Sequence, residues 1–429
     1  MPALRISARQ LGTAFLLLTI YTWIAPSIRL LLFGTAASSG FFDSLVTLLP
    51  DVLLFTLFGY AFFYWRAEKN GERKFSLSLL DKTFLVFFLS NIILGFLLAM
   101  SPKFSLMAFR ITYLPMLLYA FGRLFPTDGV SGARIMNGIV FITSFFALAG
   151  IVLYFVFPEL ARGVAEASGY EEGQYFIRRM TSVLFTPVLF GTMLLFALVY
   201  TVYRILFSGW KTGYVFFVLL WFCLFMTVSR GPMIGFLIAF FTLAFISRDW
   251  KQAGLLFLLM TATGMGISFA AAGDLRLLKW IFVSTGETVT LTDGLTRVNR
   301  WEETWNAFLA RPYGYGLGKA GAVGYRYFID SNVPSAPYST DGWLLKLGCE
   351  TGIYGVLSYL GLCLVFFFRT VRSVMQGRRG LLLVALALFL ATNAQALISN
   401  VYDFYPYIGL YWLLFAFAEN ENTEVPLRR

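Results

Sequence analysis

The feature that most constrains this 429-residue chain is a series of apolar runs, each near the length needed to cross a bilayer. They fall at roughly 11–34, 43–65, 82–101, 104–122, 135–157, 181–203, 213–229, 231–247, 252–272, 341–368, 380–399 and 404–418. A helix rises 1.5 Å per residue, so about 20 apolar residues span a hydrocarbon core of about 30 Å. A helix also satisfies its own backbone where water is absent. The expected fold is therefore an all-α polytopic membrane protein of about 12 transmembrane helices. Composition agrees, with 58% hydrophobic and only 13% charged residues. A soluble domain carries about 25% charge to cover its core. Soluble binding modules and nucleic-acid partners are thereby excluded, although the net charge is +11.

Orientation follows from the short loops, because cytoplasmic connections collect Lys and Arg. Arg66, Lys69, Arg73 and Lys74 form one basic loop, followed by Arg123 with Arg134, Arg204 with Lys211, and Arg248 with Lys251. Arg369, Arg372, Arg378 and Arg379 form the last, and Arg428 and Arg429 close the tail. Both termini are expected on the cytoplasmic side, and MPALRISARQ leads into an uncleaved first helix. The chain divides into residues 1–272, with nine spans and a smaller outer loop at 158–180, then a large outer loop at 273–340, then 341–429 with three spans and the tail. No internal repeat is visible.

The long loop has a pattern of its own, and loops of such length usually carry function. Trp301, Trp305, Phe308 and Leu309 recur at helical spacing opposite Glu302, Glu303 and Asn306, which suits a helix lying on the membrane surface. LRLLKWIF at 275–282 reads as a second interfacial piece. The stretch PYGYGLGKAGAVGYRY, 312–327, reads as a flexible aromatic turn region. Tyr and Trp beside Arg suit the holding of sugars at an aqueous boundary.

There is no histidine, which removes the usual zinc ligand and neutral-pH general base. Cys223, Cys349 and Cys363 lack ligand or disulfide spacing and read as small apolar residues. Arginine on the outward side is the informative feature. Arg162, Arg178 and Arg179 lie on the first outer loop, Arg230 lies where two spans meet, and Arg276, Arg297, Arg300, Arg311 and Arg326 lie on the second. Outward loops normally avoid such charge. The guanidinium fork pairs with phosphate and keeps its charge, so the cluster suits a lipid-linked diphosphate. Surface pairing with Glu302, Glu303, Asp293 or headgroups is the alternative for the loop arginines. Arg230, an intramembrane charge, is the stronger functional candidate.

Four stretches together resemble the O-antigen ligase and polymerase superfamily of bacterial polysaccharide assembly. They are Arg179 followed by Pro187, the Ser229-Arg230-Gly231 turn, and Arg297 to Trp301 with Arg311-Pro312 and Gly314-Tyr315-Gly316-Leu317-Gly318. The last runs from Asp341 through Glu350, Gly352 and Gly355. One departure stands out: Thr340-Asp341 occupies the place where family ligases carry His-Asn. A histidine-dependent ligase mechanism is thus out of reach, and the Asp resembles polymerases of capsular or exopolysaccharide pathways.

The resemblance implies a GT-C-like fold with a partly helical extracytoplasmic loop, in the bacterial inner membrane with the active site facing the periplasm. It implies a metal-independent glycosyltransferase without cofactors, taking glycan from undecaprenyl diphosphate onto a lipid-linked repeat unit. Arg230 and Arg297 would be catalytic with Asp341 as base, and Asp293 and Glu302 stand behind it as further candidates. Arg178, Arg179, Arg300, Trp301, Arg311, Tyr315 and Arg326 would bind substrate. Membrane lipids, a chain-length regulator and a flippase are the implied partners. Asp341 also reads as a helix N-cap, and Glu350 and Gly352 as packing residues. Asn393, Gln395, Asn400 and Asp403 read as a glycan path or as bonds between helices, and Asp51 as helix-start chemistry or a cavity group. A ligase, or a flippase of another class, are the rival functions; a flippase predicts internal repeats and no large outer loop.

Overall fold

The computed structural model describes residues 8–33, 48–59, 62, 77–99, 101–124, 130–160, 179–184, 186–270, 290–321, 323–324 and 342–424. Every regular element among them is helical. The helices are α1 (Ala8–Phe33), α2 (Leu48–Gly59), α3 (Leu79–Leu97), α4 (Pro102–Leu124), α5 (Val130–Phe155) and α6 (Pro187–Ser208). There follow α7 (Gly213–Met226), α8 (Arg230–Ser247), α9 (Trp250–Ala270), α10 (Thr290–Ala310), α11 (Trp343–Met375), α12 (Leu381–Ala396) and α13 (Tyr407–Glu424). A helix coincides with each apolar run of the sequence. Among the described residues six are long and apolar enough to cross a membrane: α3, α4, the Gly132–Phe155 part of α5, α6, α8 and α11. The chain is a polytopic membrane protein.

Burial divides the helices into centre and rim. From Phe190 to Val202 α6 is buried on every side, as are the first nine residues of α12 and Tyr407–Ala418 of α13. A helix that is apolar all round and packed all round is a core helix. The rim exposes large apolar side chains that a bilayer would cover: Val86, Leu89 and Ile93 on α3, Phe141 and Phe145 on α5, and Phe241 and Phe245 on α8. α8 lies between α6 and α12, α3 packs on α11, and α4 packs on α13.

Local chemistry explains the irregular points. α6 opens on Pro187, whose missing N–H costs nothing in a first turn, and Thr186 Oγ1 accepts from Leu189 N–H. The opening is six residues later than the apolar run suggests. α4 loosens into a π turn at Phe109–Tyr113 and a 3₁₀ turn at Leu114–Met116. Pro115 cannot donate into the helical ladder there, so the register shifts around it. α11 is 33 residues long and breaks at Gly352, which holds φ 70°. Its N-cap position is Gly342, and Asp341, read from the sequence as a cap, lies outside the described residues.

One end of the bundle is fastened by a closed polar network. Arg123 pairs bidentately with Asp81, Nε to Oδ1 at 2.8 Å and Nη2 to Oδ2 at 2.9 Å. Tyr119 donates to Asp81 at 2.7 Å, Ser78 and Asp81 form a capping box opening α3, and Arg123 also bonds Asn420. Arg123 is therefore a buried helix tie, not the loop charge its sequence position suggests.

Candidate active site at the strap end of the bundle

At the opposite end the chain after α10 forms a strap, residues 311–321, that fits into the break in α11. In an unbroken helix the Cys349 and Glu350 carbonyls would accept bonds from residues four further on. The turn at Gly352 frees them, and the strap replaces the lost partners. Tyr315 N–H donates to Cys349 O at 2.7 Å, Gly316 N–H to Glu350 O at 2.9 Å, and Ile353 N–H to Pro312 O at 2.8 Å. Leu317 N–H reaches Gly95 O at the end of α3 at 3.0 Å, and Ser105 Oγ donates to Leu317 O at 2.8 Å. Buried irregular backbone persists only where its polar groups find partners.

The alternating glycines make this approach possible. Gly314, Gly316 and Gly318 hold φ of 97°, 94° and 85°, where a side chain is strained. A Cβ on Gly316 would sit 2.6 Å from Leu98 O. The expected flexible turn region is thus corrected: 317–321 is buried and tied down, and its glycines serve close contact.

Beneath the strap lies a buried charge group. Lys346 Nζ is 2.5 Å from Asp403 Oδ1, 3.8 Å from Glu350 Oε2 and 3.0 Å from Thr112 Oγ1. Thr112 in turn donates to Asp403 Oδ1 at 2.6 Å, which the π turn of α4 makes possible. Glu350 Oε1 accepts Gly318 N–H at 2.9 Å. Glu350 is thus the buried packing residue its place suggested, and its side chain also anchors the strap. Asp403 bonds between helices, as do Asn393 to Tyr359 and Gln395 to Thr192. Asp51 pairs with Arg110 at 2.5 Å. Within the strap, burial pulls the Lys319 ammonium below the usual lysine range.

The arginines form two groups. Arg179 Nε donates to Thr227 O and its Nη2 to Ser229 Oγ, both at 2.9 Å, while Met180 N–H donates to Met226 O. Arg179 therefore clamps the turn from which half-buried Arg230 opens α8. Gly231 lies against Gln395 at the end of α12, and Gly342, opening α11, lies against Leu397 O just beyond it. These contacts place the Arg230 turn and the start of α11 at one end of the bundle. The second group is on α10 and the strap. Arg311 stacks between Tyr313 and Tyr315, 5.0 and 5.2 Å from the ring centres, and Tyr315 Oη donates to Ala307 O at 3.1 Å. Arg300 is half-buried on α10.

The α10 helix docks on α11 through buried Thr304 and through Phe308 against Gly348, with Cys349 Sγ on Thr304 O. Trp305 and Leu309 face outward, 50% and 57% exposed. Thr304 and Phe308 thus form the face of α10 that docks on α11, and Trp305 and Leu309 of the apolar pattern stay on its outer face. Arg297 and Asp293 stand on α10 with side chains outside the described residues. Arg162, Arg178, Arg276, Arg326, the 275–282 segment and Asp341 also lie outside them.

Residues 215–360, which carry the Arg230 turn, α10, the strap and the break in α11, match the family model described as O-antigen ligase. The match covers residues 215–360 of the 429 and supports the resemblance of this region to the O-antigen ligase/polymerase superfamily. No curated protein matches the chain. Members of this family are glycosyltransferase-like enzymes of O-antigen-related polysaccharide assembly, a role that implies a lipid-linked polysaccharide substrate.

Within this family region and beside it, buried side-chain atoms without a hydrogen-bond partner among the described residues gather at the strap end. They include Trp301 Nε1, Arg311 Nε, Trp343 Nε1, Gln395 Oε1, Asp403 Oδ2 and Tyr113 Oη. Buried polar groups are normally paired, so such a concentration marks a polar site. Sequence reasoning missed Lys346 and Tyr113. The i,i+4 spacing of Lys346 and Glu350 was a usable sign of the first; nothing in the sequence distinguishes Tyr113 from its aromatic neighbours.

Proposed function

We propose that this chain is a polysaccharide polymerase that transfers a growing glycan from undecaprenyl diphosphate onto a lipid-linked repeat unit, on the periplasmic face of the inner membrane. The observation that carries this reading is Arg179 holding the Arg230 turn at the mouth of α8, at the end where unsatisfied buried polar groups collect. A helix N-terminus with two guanidinium groups beside it favours a diphosphate.

In the reaction, an acceptor hydroxyl oxygen bonds to the anomeric carbon of the donor as the bond from that carbon to the diphosphate oxygen breaks. The bonding pair leaves with the lipid diphosphate, and the hydroxyl proton passes to a carboxylate. Arg230 and Arg297, with Arg300, would meet the charge developing on the leaving group. Asp341 is the proposed base, placed next to Gly342 in sequence at the start of α11. Arg311, Tyr315 and Trp301, with Arg178 and Arg326, would hold the sugars and phosphates. In this reading arginine charge supplies what a metal ion supplies in other glycosyltransferases. A chain-length regulator and a flippase would act beside it.

The polymerase reading is preferred to a ligase because a chain without histidine lacks the ligase base. The test is removal of the gene followed by isolation of lipid-linked sugars. Single repeat units on the outer leaflet are expected. Finished long chains on the lipid would mean a ligase, and accumulation on the inner leaflet a flippase.

A further inference from the structure

One residue of α11 meets every second residue along the strap. A Cβ on Gly314 would sit 2.6 Å from Glu350 O, Gly316 N–H donates to that same carbonyl, and Gly318 N–H donates to Glu350 Oε1 at 2.9 Å. Ala320 N–H bonds the same carboxyl. The first half of the strap, 312–317, is held chiefly from backbone to backbone. The second half rests on side chains. Beyond Ala320, a Cβ on Gly321 would sit 3.0 Å from both Asp403 Oδ2 and the Lys346 stem, so the chain lies directly on that pair. Lys346 stands one turn before Glu350 and is fixed by Asp403 Oδ1 at 2.5 Å and Thr112 Oγ1 at 3.0 Å.

Glu350 is 1% exposed. An apolar side chain would fill so buried a place at lower cost than a carboxyl, whose burial is offset only by bonds of good geometry. Those bonds go to the strap, and the strap carries the rings that hold a cation. The Arg311 guanidinium lies over Tyr313 and Tyr315, 5.0 and 5.2 Å from their centres, so its place follows that of the strap. We infer that Glu350 is a positioning residue for substrate binding: by fixing the strap at Gly318 it sets where Tyr313 and Tyr315 hold the Arg311 guanidinium. The inference rests on the role proposed above for Arg311 in holding the lipid-linked glycan. Glu350 itself does not touch that ligand; it acts through Arg311.

The test measures binding of a synthetic lipid-diphosphate-linked repeat unit to the purified full-length protein in vesicles, with chain extension followed on the same samples. Glu350→Ala should weaken binding and raise KM about tenfold, while kcat at saturation falls by less than about threefold. Glu350→Gln keeps an oxygen for Gly318 N–H and should recover most of the affinity. In the Arg311→Ala background, Glu350→Ala should weaken binding by less than about twofold further, because the cation through which it acts is already gone. Losses that multiply, or equal losses in the Ala and Gln variants, would overturn the inference in favour of general packing. Should Glu350→Ala fail to fold, Gly318→Ala displaces the strap from its other side, where Phe104 O would stand 2.6 Å from the new Cβ. It should weaken binding similarly, and only with Arg311 present; unchanged affinity would contradict the proposal. Wild-type protein that binds the unit but extends no chain would refute the polymerase reading alone, the affinities still deciding the role of Glu350. No binding by wild type would overturn both.

Discussion

At the end where α3 begins and α13 stops, Arg123 meets Asp81 through two parallel bonds, with Tyr119, Ser78 and Asn420 filling the remaining valences. At the end where α11 begins, Lys346 faces two carboxylates, and among the described residues one oxygen of Asp403 and a polar atom each of Tyr113, Trp343 and Gln395 have no partner. Both groups are buried among apolar helices, where an unmatched polar atom is costly. A closed network is what fastening requires. An open one holds hydrogen-bonding capacity that a bound molecule could use, and it stands beside the strap and the Arg179–Arg230 turn. The difference separates charge that builds the fold from charge disposed for a substrate.

Three substitutions probe that separation. Arg123→Met leaves Asp81 buried without its cation and should cost about 3–5 kcal/mol. Denaturation in mixed micelles would measure it, and Asp81→Leu in the same chain should recover much of the loss. A cost below about 1 kcal/mol would show that the closed network is not what fastens this end. Ser78→Ala removes the cap that shares Asp81 and should cost about 1 kcal/mol by the same measurement. Gln395→Leu, at the open end, gives up the bond to Thr192 but also buries no unmatched oxygen, so stability should move by less than about 1 kcal/mol. Polymer formation should nevertheless fall about tenfold or more, since Gln395 lies against Gly231 beside Arg230. Large instability with unchanged polymer would reverse the comparison.

The sequence made the helices legible, because runs of Leu, Phe and Val near bilayer length leave few alternatives. Which helices lie at the centre was not legible. α6 and α9 are similarly apolar around their circumference, yet α6 is enclosed and α9 exposes Leu255, Phe257 and Leu258. Only packing decides that. The Arg179, Arg230 and Arg311–Tyr315 parts of the site were readable as motifs, and the structure joins Arg179 to the Arg230 turn. The strap was misread, because glycine spacing looks the same whether it serves flexibility or a close approach such as Gly316 to Leu98. Charge partners far apart in sequence were also hidden. Lys346 finds Asp403 57 residues later, and Arg123 finds Asp81 42 residues earlier.

The central claim is that Arg230 serves the diphosphate of a lipid-linked glycan. Its most direct test is the rate at which the purified protein, in vesicles, extends a synthetic lipid-diphosphate-linked repeat unit, compared between wild type and Arg230→Ala. The account predicts a loss of about 100-fold or more with the folded yield unchanged, and only partial recovery in Arg230→Lys, whose ammonium cannot grip two oxygens at once. Chain extension by Arg230→Ala at the wild-type rate and length would contradict it.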